Sequence, residues 1–404
     1  MIFKGLFDFK NQYLNIKWRI VLPILFIVFI GLVILSSTSD SSFYKQIVWF
    51  FLGINAFILT QYVRTQYLYD YSYLFFIILI ALLSLTFFSP KIGGAKSWLV
   101  FGPIYFQPSE FGKIIYIICL SRFLSDNRQK NTLSIYLLVV LFISILPVLI
   151  VLVQPDLGTA IMYLSVIFPM LFWSGFNEKI ILLMIAPVIS VIIVSLNVLS
   201  IFYVWMILFL LFLFYCRFSI STKIINFLLN ILFGLSSPYI WNNILKPHQR
   251  QRILTFFDPF RDPLDAGYQA IQSWISIGSG GLWGKGLGEG TQKGLDFLPI
   301  KESDFIISVL AEELGFFTIM LLLVSVSLFI YWCLEYLSKI ENKFPSLLVL
   351  GFTTLFFMHI IVNMAMVSGL LPITGLPVPF ISYGGSFFLT CSIVIGLINN
   401  IINN

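Results

Sequence analysis

Runs of about twenty apolar residues recur from one end of this chain to the other, and nothing else restricts its fold so tightly. A membrane-spanning helix needs roughly 20 mostly apolar residues. Candidate spans fall at roughly 19–38, 45–63, 70–88, 110–124, 134–153, 158–175, 179–197, 199–216, 223–240, 305–332, 347–369 and 385–401. The two at 199–216 and 223–240 follow a very short break near Asn197, and read either as a helical hairpin or as a partly interfacial element. Charge confirms the class. Only 10% of residues are charged, against 59% hydrophobic, where a soluble domain carries roughly 25% charged residues. So little charge cannot cover a water-exposed surface of this size. The expected fold is an all-α integral membrane protein, a polytopic helical bundle of about 10–12 transmembrane helices with a large extracytoplasmic loop. It forms one membrane domain over residues 1–404.

The net charge of +6 does not point to nucleic acid, because the basic residues are scattered through loops between apolar spans. They follow membrane topology instead. Lys4, Lys10, Lys17, Arg19, Arg64, Arg122, Arg128, Lys130, Lys179, Arg217, Lys223, Lys339 and Lys343 fall on one side, and the short loops of the other side hold only Lys45, Lys91 and Lys96. Cations concentrate on the cytoplasmic side, so both termini are expected there. The N-terminal cations followed by the run from Ile20 to Ser36 suggest a signal peptide, but no small-residue cleavage site follows. An uncleaved first span is expected. Four isolated cysteines and two histidines show no CxxC or HExxH spacing, which argues against a disulfide framework or a zinc enzyme.

Three stretches interrupt the apolar pattern: 89–110, 241–303 and 369–386. All fall outside in this topology. The second is long enough to be functional, and its mixture of aromatic and charged residues predicts order. Polar residues at membrane depth mark chemistry or packing. Glu110 and Lys113 are three apart and can pair on one helix face, either as a packing device or as part of a site. Asp156, between Pro155 and Gly158, reads as a helix cap or as a catalytic group. Arg250 and Arg252, in a stretch that opens at Lys246, can lie on anionic headgroups or grip a diphosphate. The stretch from Gly278 to Gly286 imitates a phosphate loop, but Gly286 follows Lys285 where Ser or Thr is required. A sharply turning backbone is the better reading. Asp304 stands where a span begins, as a cap or as an exposed carboxylate. Glu312 lies on the same half of that helix and Glu313 opposite, so at least one should meet a cavity or a cation. These features fit an enzyme or a transporter of an amphiphilic anionic substrate, without choosing between them.

Taken together and in order, these motifs resemble the SEDS family of bacterial cell-wall proteins (shape, elongation, division and sporulation). The stretches are Gly94-Ala-Lys-Ser-Trp98, Gln107 to Lys113, Gln154 to Ala160, Gln249-Arg-Gln-Arg252, Asp262 to Tyr268, Gln272-Ser273, Ile277 to Leu282, Gly290-Thr-Gln292, Leu298 to Gly315 and Gly369 to Ser386. Ile277 to Gly286, Gly290 to Gln292 and Asn363 to Gly369 place the resemblance nearer the elongation branch than the division branch. The resemblance implies a peptidoglycan glycosyltransferase that polymerises lipid II on the outer face of the bacterial cytoplasmic membrane and releases undecaprenyl diphosphate. It implies Asp304 as general base, and substrate contacts at Lys96, Trp98, Glu110, Lys113, Arg250, Arg252, Glu312, Tyr383 and Ser386. Lys113, Arg250 and Arg252 would stabilise the leaving diphosphate. It fixes no cofactor and leaves room for a divalent cation, Mg or Mn. Its implied partners are membrane lipid, a class B penicillin-binding transpeptidase and other elongation-complex proteins. Two features depart from the family pattern. Ile300, Glu302 and Ser303 stand where the family reads Glu, His and Thr before the aspartate. The family also has ten spans, so 199–240 reads as an inserted helix pair. A lipid II flippase remains the alternative, although the polar motifs cluster toward one side rather than lining a path through both leaflets. A scaffold that only recruits a transpeptidase leaves the charges at membrane depth unexplained.

Overall fold

The computed structural model describes residues 15–91, 96–102, 104–126, 135–195, 199–216, 218–245, 247–261, 267–291 and 301–403. The motif residues at 94–95, 262–266, 292 and 298–300, and the cations Lys4, Lys10, Arg128, Lys130, Arg217 and Lys246, lie outside them.

Each expected span is a helix. They are α1 (Trp18–Thr38), α2 (Asp40–Thr60), the short α3 (Thr65–Asp70) leading into α4 (Ser72–Leu85), α5 (Pro108–Asp126), α6 (Ile135–Val153) and α7 (Leu157–Ser174). Then come α8 (Glu178–Ser195), α9 (Leu199–Tyr215), α10 (Ile220–Tyr239), α11 (Pro247–Phe257), α12 (Tyr268–Gly280), α13 (Ile306–Leu337), α14 (Lys343–Val367) and α15 (Gly385–Asn403). Among the described residues, eight of these helices are long and apolar enough to cross a membrane. Shorter apolar helices at Ser72–Phe88 and Ser200–Tyr215 run among them. Lipid offers the backbone no hydrogen-bond partner, so apolar sequence of this kind must close its bonds within a helix. Prolines inside α1, α6, α7 and α8 are tolerated there, since neighbouring helices and local adjustment re-satisfy the freed groups.

The core runs through nearly the whole bundle. α14 and α15 are its most buried helices; α14 packs on α5, α7 and α13, and α15 packs on α2. Phe352, Leu348, Phe329 and Ile398 are fully enclosed there. At one end of the bundle the residues leading into α1 are tied to the end of α15. Asn399 donates to the Asn15 carbonyl and accepts from the Lys17 amide, both at 2.9 Å. The opposite end carries the turns and loops of the three interrupted stretches.

Residues 199–240 form two separate helices rather than a tight hairpin, because α10 packs mainly on α8 and only slightly on α9. Ser190 on α8 explains the pairing. Its hydroxyl donates to Asn230 of α10 at 2.7 Å and accepts from Trp205 of α9 at 2.9 Å. A small satellite core of Leu183, Ala186, Phe209 and Leu213 joins α8 to α9. The long 241–303 stretch contains α11 and α12, so much of it is helical. Two three-residue strands, β1 (Leu99–Phe101) and β2 (Ile104–Phe106), pair antiparallel ahead of α5. The otherwise all-α expectation did not include them.

Candidate active site

Asp304 lies in the turn at 301–305 that feeds α13. It does not cap that helix: the cap residue is Phe305, with no side-chain cap bond. The turn is held mainly through its backbone. Asn363 of α14 donates its amide to the Asp304 carbonyl at 2.8 Å and to the Leu376 carbonyl at 2.6 Å. Ser382 donates to the Ser303 carbonyl at 2.6 Å, and the Tyr383 amide donates to the Glu302 carbonyl at 2.8 Å. Glu302 itself accepts from the Ser42 hydroxyl at the start of α2. The loop at 372–384 therefore fixes where Asp304 stands, while its carboxylate accepts only the neighbouring Ser303 hydroxyl among the bonds seen, at 2.9 Å. Gly375 lets the loop come close. Its φ is +70°, and a Cβ there would lie 3.3 Å from the Asp304 carboxylate.

The charge environment of Asp304 is mixed. Burial pushes its carboxyl above the ordinary range; the Ser303 hydrogen bond and the Arg252 guanidinium pull it down, and Asp156 pushes it up. Arg252 donates to the Ile373 carbonyl at 3.3 Å, which anchors that cation to the same loop. Asp156 is the cap of α7. Its oxygens accept from the Thr159 amide at 3.0 Å, the Thr159 hydroxyl at 2.9 Å and Gln107 at 3.2 Å. The cap reading of Asp156 is correct, and the cap also brings a second carboxylate toward Asp304. Burial, then the charge of Glu302, hold the Tyr383 hydroxyl above its ordinary range. Ser386 sits partly exposed in the first turn of α15.

Beneath this cluster lies a buried ionic group. Lys113 Nζ is 2.7 Å from the Glu110 carboxylate and 3.0 Å from His359 Nε2. His359 Nδ1 is 2.8 Å from the Leu355 carbonyl. A carbonyl can only accept, so Nδ1 carries the proton and Nε2 accepts from lysine. His359 and Asn363 are four apart on α14 and so share a face. That face links the Lys113 group to the turn of Asp304.

Other expected site residues are placed differently. Lys96 donates to the Phe87 carbonyl at 2.8 Å, just beyond the end of α4, and Trp98 is half-buried beside β1. Arg250 is engaged by the end of the α10 segment, donating to the Leu245 carbonyl at 3.0 Å and the Asn242 carbonyl at 2.8 Å. Glu312 does not turn toward Asp304. Its carboxylate lies 2.7 Å from Lys285 and accepts from the Thr291 amide and hydroxyl, each at 2.9 Å. Glu313, expected on the opposite side, accepts from the Gly288 amide at 3.1 Å, in the same glycine-rich hairpin. The hairpin wraps the helix and so reaches both carboxylates. Its left-handed glycines, Gly284, Gly286 and Gly288, make the sharp turning that its sequence suggested.

Sequence reasoning missed two residues as site supports. Asn363 was read only as a mark of one family branch, and His359 only as one of two histidines. The signal available was a polar side chain deep in an apolar run.

A family model described as cell cycle protein (FtsW, RodA, SpoVE) matches this chain over residues 13–204 and 179–404. The peptidoglycan glycosyltransferase RodA of Treponema pallidum is 31% identical, over 99% of each chain. The peptidoglycan glycosyltransferase MrdB of Escherichia coli K12 is 34% identical, over 81% of this chain and 76% of its own. Among solved structures, a chain from a peptidoglycan synthase complex, described as coordinating polymerization and crosslinking, superposes with a TM-score of 0.73 at 25% identity. That match covers 97% of this chain and 98% of the other.

Proposed function

This chain belongs to the FtsW/RodA/SpoVE family of cell cycle proteins, and from that membership we infer that it is a RodA-like peptidoglycan glycosyltransferase. The observation that carries the chemistry is Asp304, a partly buried carboxylate held in place by its backbone while its side chain keeps a single neutral hydrogen bond among those seen. A group fixed in position with its charge only lightly compensated is suited to accept a proton.

The substrate is lipid II, a disaccharide-pentapeptide on undecaprenyl diphosphate. Asp304 takes the proton of the acceptor sugar hydroxyl. That oxygen bonds to the anomeric carbon of the growing chain as the bond from that carbon to the diphosphate breaks, and the diphosphate leaves with the electron pair. Arg252, anchored at the same loop, stabilises the charge of the leaving group. Lys113, neutralised by Glu110, supports the floor of the site through His359 and Asn363. Tyr383 and Ser386 line its rim. A divalent cation, Mg or Mn, would find Asp304 as its carboxylate, since Thr159 and Gln107 occupy the oxygens of Asp156. It would then enter with the phosphates of the substrate.

The Asp304 end faces the outside of the bacterial cytoplasmic membrane, and both termini face the cytoplasm. The distribution of cations supports this, with Lys17, Arg19, Arg64, Arg122, Lys339 and Lys343 at the end where α1 begins and α15 ends. A class B penicillin-binding transpeptidase is the partner, on the likeness to a chain from a synthase complex, and the setting is the elongation complex. Reading α9 and α10 as an insertion rests on the family's ten spans alone, since the second family match, 179–404, runs through both helices.

The test is lipid II polymerisation by the purified chain with its transpeptidase, for wild type and Asp304→Ala. Glycan strands from wild type alone support the assignment. Equal polymer from both removes Asp304 from the mechanism. No polymer from either, with lipid II crossing liposome membranes, turns the assignment to a flippase.

A further inference from the structure

Helix α13 is broken near its head. Gly315 has φ +74° and ψ −179°, far from helical values. In a continuous helix the amides of Phe316 and Phe317 would donate to the carbonyls of Glu312 and Glu313. Here Phe316 donates to the Gly281 carbonyl at 2.9 Å and Phe317 to the Leu282 carbonyl at 3.1 Å. The orphaned carbonyls of Glu312 and Glu313 accept from the amides of Lys285 at 2.9 Å and Gly286 at 3.0 Å. The hairpin at 281–291 thus supplies a partner for each of the four groups that the break exposes. Buried backbone groups cannot be left unpaired at low cost.

The side chains repeat the arrangement. Lys285 Nζ meets Glu312 at 2.7 Å and the Thr291 hydroxyl at 2.8 Å, while the Gly288 amide meets Glu313 at 3.1 Å. The approach leaves no room for a side chain. A Cβ on Gly284 would lie 2.2 Å from the Glu313 carbonyl oxygen, and one on Gly280 only 1.9 Å from that of Ala311.

The segment 306–314, which follows directly from Asp304, is therefore not oriented by the long remainder of α13. It is oriented by what grips it from the side: the hairpin, and α12 through the Ser273 and Ser308 hydroxyls at 2.7 Å. Among the described residues, Lys285 is the cation in that grip. It stays partly exposed while Glu312 is fully buried, so its charge is the component a substitution can remove without emptying the core.

We propose that Lys285 is a positioning residue for glycosyl transfer, holding the broken head of α13 through Glu312 so that Asp304 meets the acceptor hydroxyl. This rests on the assignment of Asp304 as base. Lys285 binds no substrate; it sets a geometry, and a displacement of about 1 Å at a reacting group can lower turnover roughly a hundredfold.

The experiment compares wild type, Lys285→Ala and Lys285→Arg in the full chain with its transpeptidase. It measures lipid II kinetics and backbone hydrogen exchange. The alanine variant is expected to lose about ten- to a hundredfold in kcat, with KM changed less than about twofold. Arginine should restore most of the loss. Exchange should rise in 301–314 and 281–291 but not in 318–337. Wild-type kcat in the alanine variant would overturn the proposal. So would a loss of kcat accompanied by faster exchange along the whole helix and no rescue by arginine, the behaviour of a merely structural residue. Should the alanine variant fail to fold, Lys285→Gln is read in the same way. If wild type itself makes no polymer, the glycosyltransferase assignment fails, and the exchange comparison still decides whether Lys285 holds the head of α13.

Discussion

Asp304 and Glu312 bracket the same short helical segment, and they are held in opposite ways. Glu312 is sealed. A lysine, an amide and a hydroxyl converge on one of its oxygens, and no part of it reaches solvent. Asp304 is pinned by its carbonyl oxygen while its carboxylate receives one hydroxyl among the bonds seen and remains partly exposed. Pairing with a cation makes a buried charge part of the scaffold. Partial compensation leaves it able to change its protonation state. Proximity to a site is thus a weaker sign of chemistry than a carboxylate that has no ion pair among the described residues.

Substitutions can break that contrast. The largest effect is expected from Asp304→Asn, which should lower polymerisation by about a thousandfold or more, within the range for a lost general base. The same variant should unfold no sooner than wild type in a thermal melt. Burial raises the Asp304 carboxyl, so the folded state holds its proton more tightly than the unfolded state does. The stabilisation this gives is complete below the unfolded value and is lost as pH rises through the folded one. At neutral pH the ionised group costs stability, and an amide removes that cost. For the same reason the acid limb of kcat/KM should lie above the ordinary carboxylate range near about 4, and a limb at or below that value would oppose the assignment of Asp304.

Glu312→Ala should show the reverse pattern, with stability lost first. Removing one partner of a buried pair costs about 3 kcal/mol at the low end, the end that applies because Lys285 can reach water. Denaturant titration in micelles would measure it. His359→Phe should cost less, about 2 kcal/mol, for one hydrogen bond to a charged group, with Lys113 left its pairing to Glu110. Lys339→Ala, at an exposed pair with Glu335, should change stability by less than about 0.5 kcal/mol. A Glu312 variant as mild as the Lys339 one would erase the distinction between sealed and surface charge.

Much of the fold was legible because lipid makes apolar length nearly sufficient to specify a helix. The Glu110–Lys113 pair and the Asp156 cap were legible for a related reason, since both depend on spacings of three or four residues along one helix. The grip of Lys285 on Glu312 was not. It joins residues 27 apart beside a break that no periodicity reveals, and helical angles alone could not show that one loop reaches both Glu312 and Glu313. Arg250 read as a phosphate ligand from its residue type alone, and its bonds to the Asn242 and Leu245 carbonyls just beyond α10 could not be read from sequence. Asn363 escaped notice because its two bonds go to backbone carbonyls, which sequence cannot place.

The break at Gly315 also bears on the order in which this chain is made. Residues 281–286 leave the ribosome before 312–317, so the template that completes the helix is already present when the helix arrives. Each exchanged bond matches one position to one other, which makes the length of the turn between Leu282 and Lys285 unforgiving. Inserting or deleting a single residue there would shift the register and leave buried amides without partners. Natural length variation in the outer loops should therefore gather elsewhere and spare this turn.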